Sequence, residues 1–222
     1  MRRREFTVGL PLAALTAAAQ AGASESDAAA GVRAALERGA TAAVSQLGRA
    51  DGFLGNPKVR IELPGHLAQV AKLMRQMGQG AKIDELVTAM NRAAEAAVPE
   101  ARTMFVNAVK AMSVEDALKI VHGGATSATD FFAAKTRAPL GEKFLPIVTR
   151  ETEKVQLAQR YNAVAAKASS FGLVKGDETN IQKYVTGKAL DGLYTMVGEE
   201  ERKIRADPIG TGSALLKKVF GG

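Results

Sequence analysis

The sequence predicts an all-α protein, a single compact multi-helix domain of about nine helices behind a cleaved N-terminal segment. Three observations predict it. Alanine is abundant while aromatic residues make up only 5% of the chain, and Ala has the highest helix propensity of any residue. Apolar residues recur at i, i+3, i+4 and i+7 through most of the chain, which is the period of an amphipathic helix. The alternating Val/Ile/Thr/Tyr runs that strands require are nearly absent. The length of 222 residues with 46% hydrophobic residues and a mean hydropathy of −0.04 suits one globular domain rather than a disordered or membrane-spanning chain.

Residues 1–23 have the layout of a signal peptide, with features of the twin-arginine type. Arg2, Arg3 and Arg4 form the charged start. Val8 to Ala19 is a short, mildly apolar stretch, and Ala19-Gln20-Ala21 and Ala21-Gly22-Ala23 each offer a small-x-small cleavage site. The apolar stretch is too short to remain as a membrane span. Arg3-Arg4-Glu5-Phe6 fits the core of a twin-arginine signal, a route that carries folded cargo. The expected address is therefore the periplasm, with the domain proper at residues 24–222. The formal charge is +7; the first five residues hold +2 of it, so the processed chain carries about +5, a mild excess that by itself is no nucleic-acid footprint. Cysteine is absent, which excludes disulfides, thiolate metal sites, cysteine nucleophiles and an acylated N-terminal cysteine.

Along the body, Ser26-Asp27 is read as the start of the first helix, whose stripe is Val32, Leu36, Val44 and Leu47. Gly48 to Pro64 reads as a long loop with a locally extended piece at Val59, Ile61 and Leu63, its tip residues Phe53 and Leu54 tucked into the core. A second helix, Leu67 to Met77, points Leu67, Val70, Leu73, Met74 and Met77 inward. A third, Ile83 to Val98, buries Ile83, Leu86, Val87, Met90, Ala94 and Ala97. Pro99 opens a fourth, lined by Met104, Phe105, Ala108, Val109 and Met112. Ser113 and Asp116 form a capping box at the start of a short helix that ends at His122 before Gly123-Gly124. Separate helices follow at Thr126 to Thr136 and from Pro139, the latter kinked at Pro146. Val155 to Ser170 continues as helix, Gly172 to Gly176 turns, and Asn180 to Ala206 is a long helix with Gly187 as a candidate break. A short terminal helix carries Leu215, Leu216, Val219 and Phe220.

A series of phrases runs through this body: Asp51-Gly52-Phe53, Ile61-Glu62-Leu63-Pro64, Asn91-Arg92-Ala93-Ala94-Glu95, Phe144-Leu145-Pro146-Ile147-Val148, Tyr184-Val185-Thr186, Ala189-Leu190-Asp191-Gly192-Leu193 and Val219-Phe220-Gly221. In this order and number they resemble the bacterial family of unknown function DUF4197, over nearly all of residues 27–222. The resemblance implies an exported helical protein and assigns no activity. Many members of that family are similar to lipoproteins in the signal region; here there is no cysteine to acylate, so a lipid anchor is not implied.

The usual chemical signatures are missing. His66 and His122 have no second histidine or carboxylate at ligand spacing, and no nucleophile elbow or phosphate-binding loop occurs. No metal or cofactor is expected. Asn91 and Glu95, at i and i+4, project from one side of the third helix among Ala93, Ala94, Ala96 and Ala97, while Arg92 points away. The residues allow two readings. The pair is a buried hydrogen-bond network that fixes helix register, or it is the wall of a ligand pocket completed by Asp116, Thr129, Lys135, Tyr161 and Arg205. The charged run Glu199-Glu200-Glu201-Arg202-Lys203 reads as a solvated face with Glu199–Lys203 and Glu201–Arg205 pairs. The leading expectation is a periplasmic binding or interaction module for a small or lipid-like ligand or an envelope protein, with no nucleic acid and no membrane span after processing. The alternatives are a cofactor-independent acid/base enzyme using Glu95 and Asp116 as a carboxylate pair, and a purely structural envelope scaffold.

Overall fold

The computed structural model describes residues 15–162 and 176–207. Seven helices have their bounds within the described residues: α1 Leu15–Leu47, α2 Ala68–Gln76, α3 Gly80–Ala97, α4 Ala101–Lys110, α5 Val114–His122, α6 Ser127–Thr152 and α7 Ile181–Ala206. A further helical segment covers 156–162, and no strand occurs among the described residues. The all-α prediction holds, with fewer helices than the nine expected. The expected helix beyond Asn162, the turn at 172–176 and the terminal helix lie wholly or largely outside the described residues.

The core is built from four long or central helices. α6 packs on α7 and α3, and α1 packs on α7, α4 and α5. Their apolar stripes supply Val32, Ala40 and Leu47 from α1, Leu86, Met90 and Ala94 from α3, Phe132, Leu140 and Phe144 from α6, and Val185, Leu193 and Val197 from α7. Alanine at many of these positions lets helix axes approach closely. Aromatic rings fill the wider gap between α4, α6 and α7: Phe105 lies 4.8 Å from Phe132 and 6.1 Å from Tyr194, centroid to centroid.

α6 and α7 are antiparallel. Three contacts fix their register: Ala128 N–H to the Glu201 carboxylate, the Thr136 hydroxyl to the Tyr194 hydroxyl at 2.8 Å, and Arg137 to Asp191 at 2.5 Å. α6 continues through both Pro139 and Pro146, where a break before Pro139 was expected. Each proline removes one i→i−4 bond, leaving the carbonyls of Lys135 and Glu142 without that donor. Both prolines and both of those residues are exposed, so water can pair the freed carbonyls while the buried face holds the helix together.

Other expectations are corrected. α1 begins at Leu15 rather than at Ser26, and Ser26 lies inside it; the alanine-rich stretch before Ser26 is as good a helix former as the stretch after it. Leu73 and Met77 are 56% and 65% exposed rather than inward. α2 is only nine residues long and packs on α3 alone among the helices with substantial contact, so one flank of its apolar stripe has nothing to cover it among the described residues. α7 shows no break at Gly187. Pro99 sits in a 3-10 turn, Val98–Glu100, that carries α3 into α4. The capping box is present: the Asp116 N–H donates to Ser113 Oγ at 3.0 Å, and the Ser113 N–H donates to the Asp116 carboxylate at 3.2 Å.

The segment between α1 and α2 is a chain of turns with no strand. Phe53 is fully buried and Leu54 partly. Two glycines admit it. A Cβ at Gly52 would lie 2.3 Å from the Leu47 carbonyl oxygen, and one at Gly192 of α7 would lie 2.6 Å from the Phe53 ring. The Phe53 ring is enclosed and cannot swing aside. Gly192→Ala is therefore expected to destabilise the protein by about 1–3 kcal/mol through overpacking, read as a lower urea midpoint at unchanged m-value. An unchanged midpoint would mean that Phe53 does not sit against α7.

Candidate functional site

The seven residues singled out from sequence do not converge on one pocket. They fall into four separate places, and in most of them the polar atoms are turned inward to hold the fold.

Asn91 and Glu95 stand together on α3, both buried, and both hold the loop between α1 and α2. Asn91 acts as a two-sided backbone mimic. Its Oδ1 accepts from the Ile61 N–H at 2.8 Å, and its Nδ2 donates to the Ile61 and Val87 carbonyls at 2.9 and 2.8 Å. Glu95 Oε1 accepts from the backbone N–H groups of Phe53 and Leu54 at 3.0 and 3.1 Å. Its Oε2 accepts from Arg92 Nη1 at 2.6 Å. Arg92 thus reaches forward along the helix to Glu95, contrary to the expectation that it points away; it bridges to Asp51, which its Nη2 meets at 2.8 Å. The Glu95 hydrogen bond is the largest influence raising the Arg92 pKa. Asp51 has φ 63°, a left-handed turn conformation that Asp tolerates better than most residues. The arrangement is a hydrogen-bond network that satisfies the backbone of an irregular buried segment.

Thr129 and Arg205 meet at the start of α6, gathered by a residue that sequence reasoning placed on a solvated face. Glu201 of α7 is only 4% exposed. Its Oε1 accepts from the Ala128 N–H at 3.0 Å and from Arg205 Nη2 at 2.8 Å. Its Oε2 accepts from the Thr129 N–H and hydroxyl, both at 2.9 Å. Arg205 Nη2 also donates to the Ile120 carbonyl and Ser127 Oγ at 2.9 and 2.8 Å. The nominal N-cap, Thr126, makes no side-chain cap bond, so Glu201 caps α6 from a distance, with its charge on the favourable end of the helix dipole. The Glu201–Arg205 pair was legible from its i,i+4 spacing. Burial was not, because it depends on which turn of α7 lies beside the start of α6. The expected Glu199–Lys203 pair is replaced by Glu199 with Lys58 and Arg202, and by Glu200 with Lys203.

Asp116 and Lys135 share the wall of an open-sided groove of about 310 Å³ between α4, α5 and α6, with Met104, Phe131 and Thr136. The Ser113 hydrogen bonds hold the Asp116 carboxyl below its ordinary pKa, with Lys135 contributing a smaller pull in the same direction. Tyr161 is apart from all of these: its buried hydroxyl donates to the Glu178 carbonyl. Among the described residues no three His, Asp or Glu side chains gather at metal-binding distance, and no helix is long and apolar enough to cross a membrane.

These contacts generate two expectations. Glu95→Gln keeps the shape but loses the charge that two backbone amides and the half-exposed Arg92 share, and should cost about 1.5–3 kcal/mol, the scale of hydrogen bonds to a charged group; urea unfolding that matches wild type would remove Glu95 from its anchoring role. The chain has three tyrosines and no tryptophan. Burial is the largest influence on each, pushing Tyr161 up to about 12 from 10.0 and raising Tyr184 and Tyr194. Burial favours the neutral phenol, so the associated stability is complete below pH 10 and falls as pH rises toward 12. A spectrophotometric titration of the folded protein should show no tyrosine ionising at its ordinary value; a normal titration of any one would contradict the packing at that ring.

Comparison with known proteins adds one finding. Residues 22–221 match the family model described as "Protein of unknown function (DUF4197)". No curated protein and no solved structure matches the chain.

Proposed function

This chain belongs to the DUF4197 family, and we propose that it is an exported protein of the cell envelope that works by binding, taking a small or lipid-like ligand in a surface groove between its helices. The observation that carries the reading is the direction in which its polar residues face. Asn91, Glu95 and Glu201 are spent on backbone amides inside the fold, while the concave surfaces left over are open grooves of about 310 to 510 Å³ with apolar residues in their walls. That volume lies in the range of small-molecule sites.

The acid/base reading has less support. Glu95 has both oxygens engaged, one by two backbone amides and the other by Arg92. Asp116 is committed to a helix cap on a different element. A carboxylate pair for proton transfer needs at least one partner free to exchange a proton with substrate. Export is supported by the start of the family match at residue 22, beside the two small-x-small sites, and by the arginine-rich start of the chain.

Native mass spectrometry of protein purified gently from the periplasm tests both parts. The expected result is a chain beginning after Ala21 or Ala23 with a stoichiometric small molecule or lipid that denaturation releases. A chain retaining Met1 would overturn the processing, and a bare mass would overturn the binding reading in favour of a scaffold.

A further inference from the structure

The groove of about 310 Å³ between α4, α5 and α6 has an apolar floor and two opposite charges that no folding contact closes. Met104 and Ala108 of α4, with Ala111 just after that helix, line it at i, i+4 and i+7, on one helical face. Phe131 lines it from α6. Met104, Ala108 and Phe131 are only partly buried and pack against the core from this side. The Phe131 ring meets Phe132 edge to face, with centroids 5.9 Å apart, and Phe132 is itself buried, so one side of the floor is held in place by the core. Met104 is unbranched and can adapt to what lies against it.

The charges are Asp116 of α5 and Lys135 of α6, both in the groove wall. They lie close enough for Lys135 to lower the Asp116 pKa, yet neither forms an ion pair among the described residues. Ser113 keeps the Asp116 carboxylate ionised and holds it at the start of α5. Lys119, the other cation beside it, is closed by Glu115 at 2.7 Å. Lys135 is exposed and makes no hydrogen bond among the described residues. An anion and a cation set apart on two helices, beside an apolar floor, suit a molecule that carries both charges and an apolar group. A purely anionic ligand would meet Asp116, and a purely cationic one would meet Lys135. We propose that this groove binds a free α-amino acid with an apolar side chain. Its ammonium donates to Asp116, its carboxylate accepts from Lys135, and its side chain lies on Met104 and Phe131. The volume is at the lower end of the range for small-molecule sites, which suits one amino acid rather than a long acyl chain. This rests on the binding reading above and gives it a place and a ligand class.

The test is titration calorimetry of the purified, dialysed protein with L-leucine at neutral pH. The controls are 4-methylpentanoate, which lacks the ammonium, 3-methylbutylamine, which lacks the carboxylate, and glycine, which lacks the side chain. One saturable site is expected for leucine, with each control weaker by about tenfold or more. Lys135→Met keeps the length of the side chain and removes its charge. It should weaken leucine by about tenfold and erase the advantage of leucine over 3-methylbutylamine. The melting temperature of the ligand-free variant should match wild type, because Lys135 holds no hydrogen bond or ion pair in the fold, and Lys135→Arg should keep the binding. Ala111 is exposed, so Ala111→Leu should fill the groove and abolish binding in a protein that still unfolds cooperatively. The proposal is overturned by absence of saturable leucine binding, by either single-charge control binding as tightly as leucine, or by unchanged leucine binding in Lys135→Met. A natural ligand that still co-purifies with folded Ala111→Leu would also overturn it, placing the site elsewhere and leaving the binding reading standing. A wild-type protein that carries nothing from the periplasm and takes up no leucine would instead count against that reading.

Discussion

Glu95 and Asn91 hold the irregular segment between α1 and α2 against α3, and much of the packing depends on that hold. The segment has no strand partner and, apart from a 3-10 turn at Gly65–Leu67, no helix of its own, yet it carries Phe53, Val59 and Ile61 into the core. Its backbone amides would be buried without partners unless side chains supplied them. Glu95 takes two amides with one oxygen, and Asn91 takes an N–H and a carbonyl as a neighbouring strand would. Arg92 and Asp51 neutralise and orient the carboxylate from the surface side. With Phe53 placed, the close approach of Gly192 fixes where α7 passes. With α7 placed, Glu201 arrives at the start of α6 and caps it.

Both buried carboxylates therefore do the same physical task, which is to accept hydrogen bonds from backbone amides that no secondary structure satisfies. A carboxylate suits this better than a neutral group, because bonds to an ionised acceptor are stronger and two oxygens serve several donors at once. Each carries a paired arginine within one helical turn, Arg92 at i−3 and Arg205 at i+4. This explains why polar residues on an alanine-lined face need not mark a reaction centre.

Legibility in the sequence depends on which signals are local. The stripes of α3 and α7, the capping box at Ser113 and Asp116, and the burial of Phe53 all derive from spacing or from neighbouring residues. Asn91 and Glu95 were legible as a buried pair because two polar side chains interrupt an alanine face. Their partners were not, since the amides of Phe53, Leu54 and Ile61 lie 30 to 42 residues away. The continuity of α6 was hidden because Pro139 and Pro146 argue locally for a break, and only their exposure shows how the lost bonds are tolerated. Glu201 was hidden inside a run of charges whose average character is that of a solvated face. Leu73 and Met77 failed for the opposite reason: their spacing is that of a core stripe, but α2 has too few neighbours to cover both flanks.

The most direct test of the clamp is native-state amide hydrogen exchange at Phe53, Leu54 and Ile61. These three amides lie in a loop, where exchange is ordinarily fast, but each donates to a buried side chain on α3. If Glu95 and Asn91 hold the segment as described, all three exchange only through global unfolding, as slowly as amides in the middle of α3. If they exchange quickly while α3 and α7 remain protected, the segment opens independently and the rest of the fold does not depend on it.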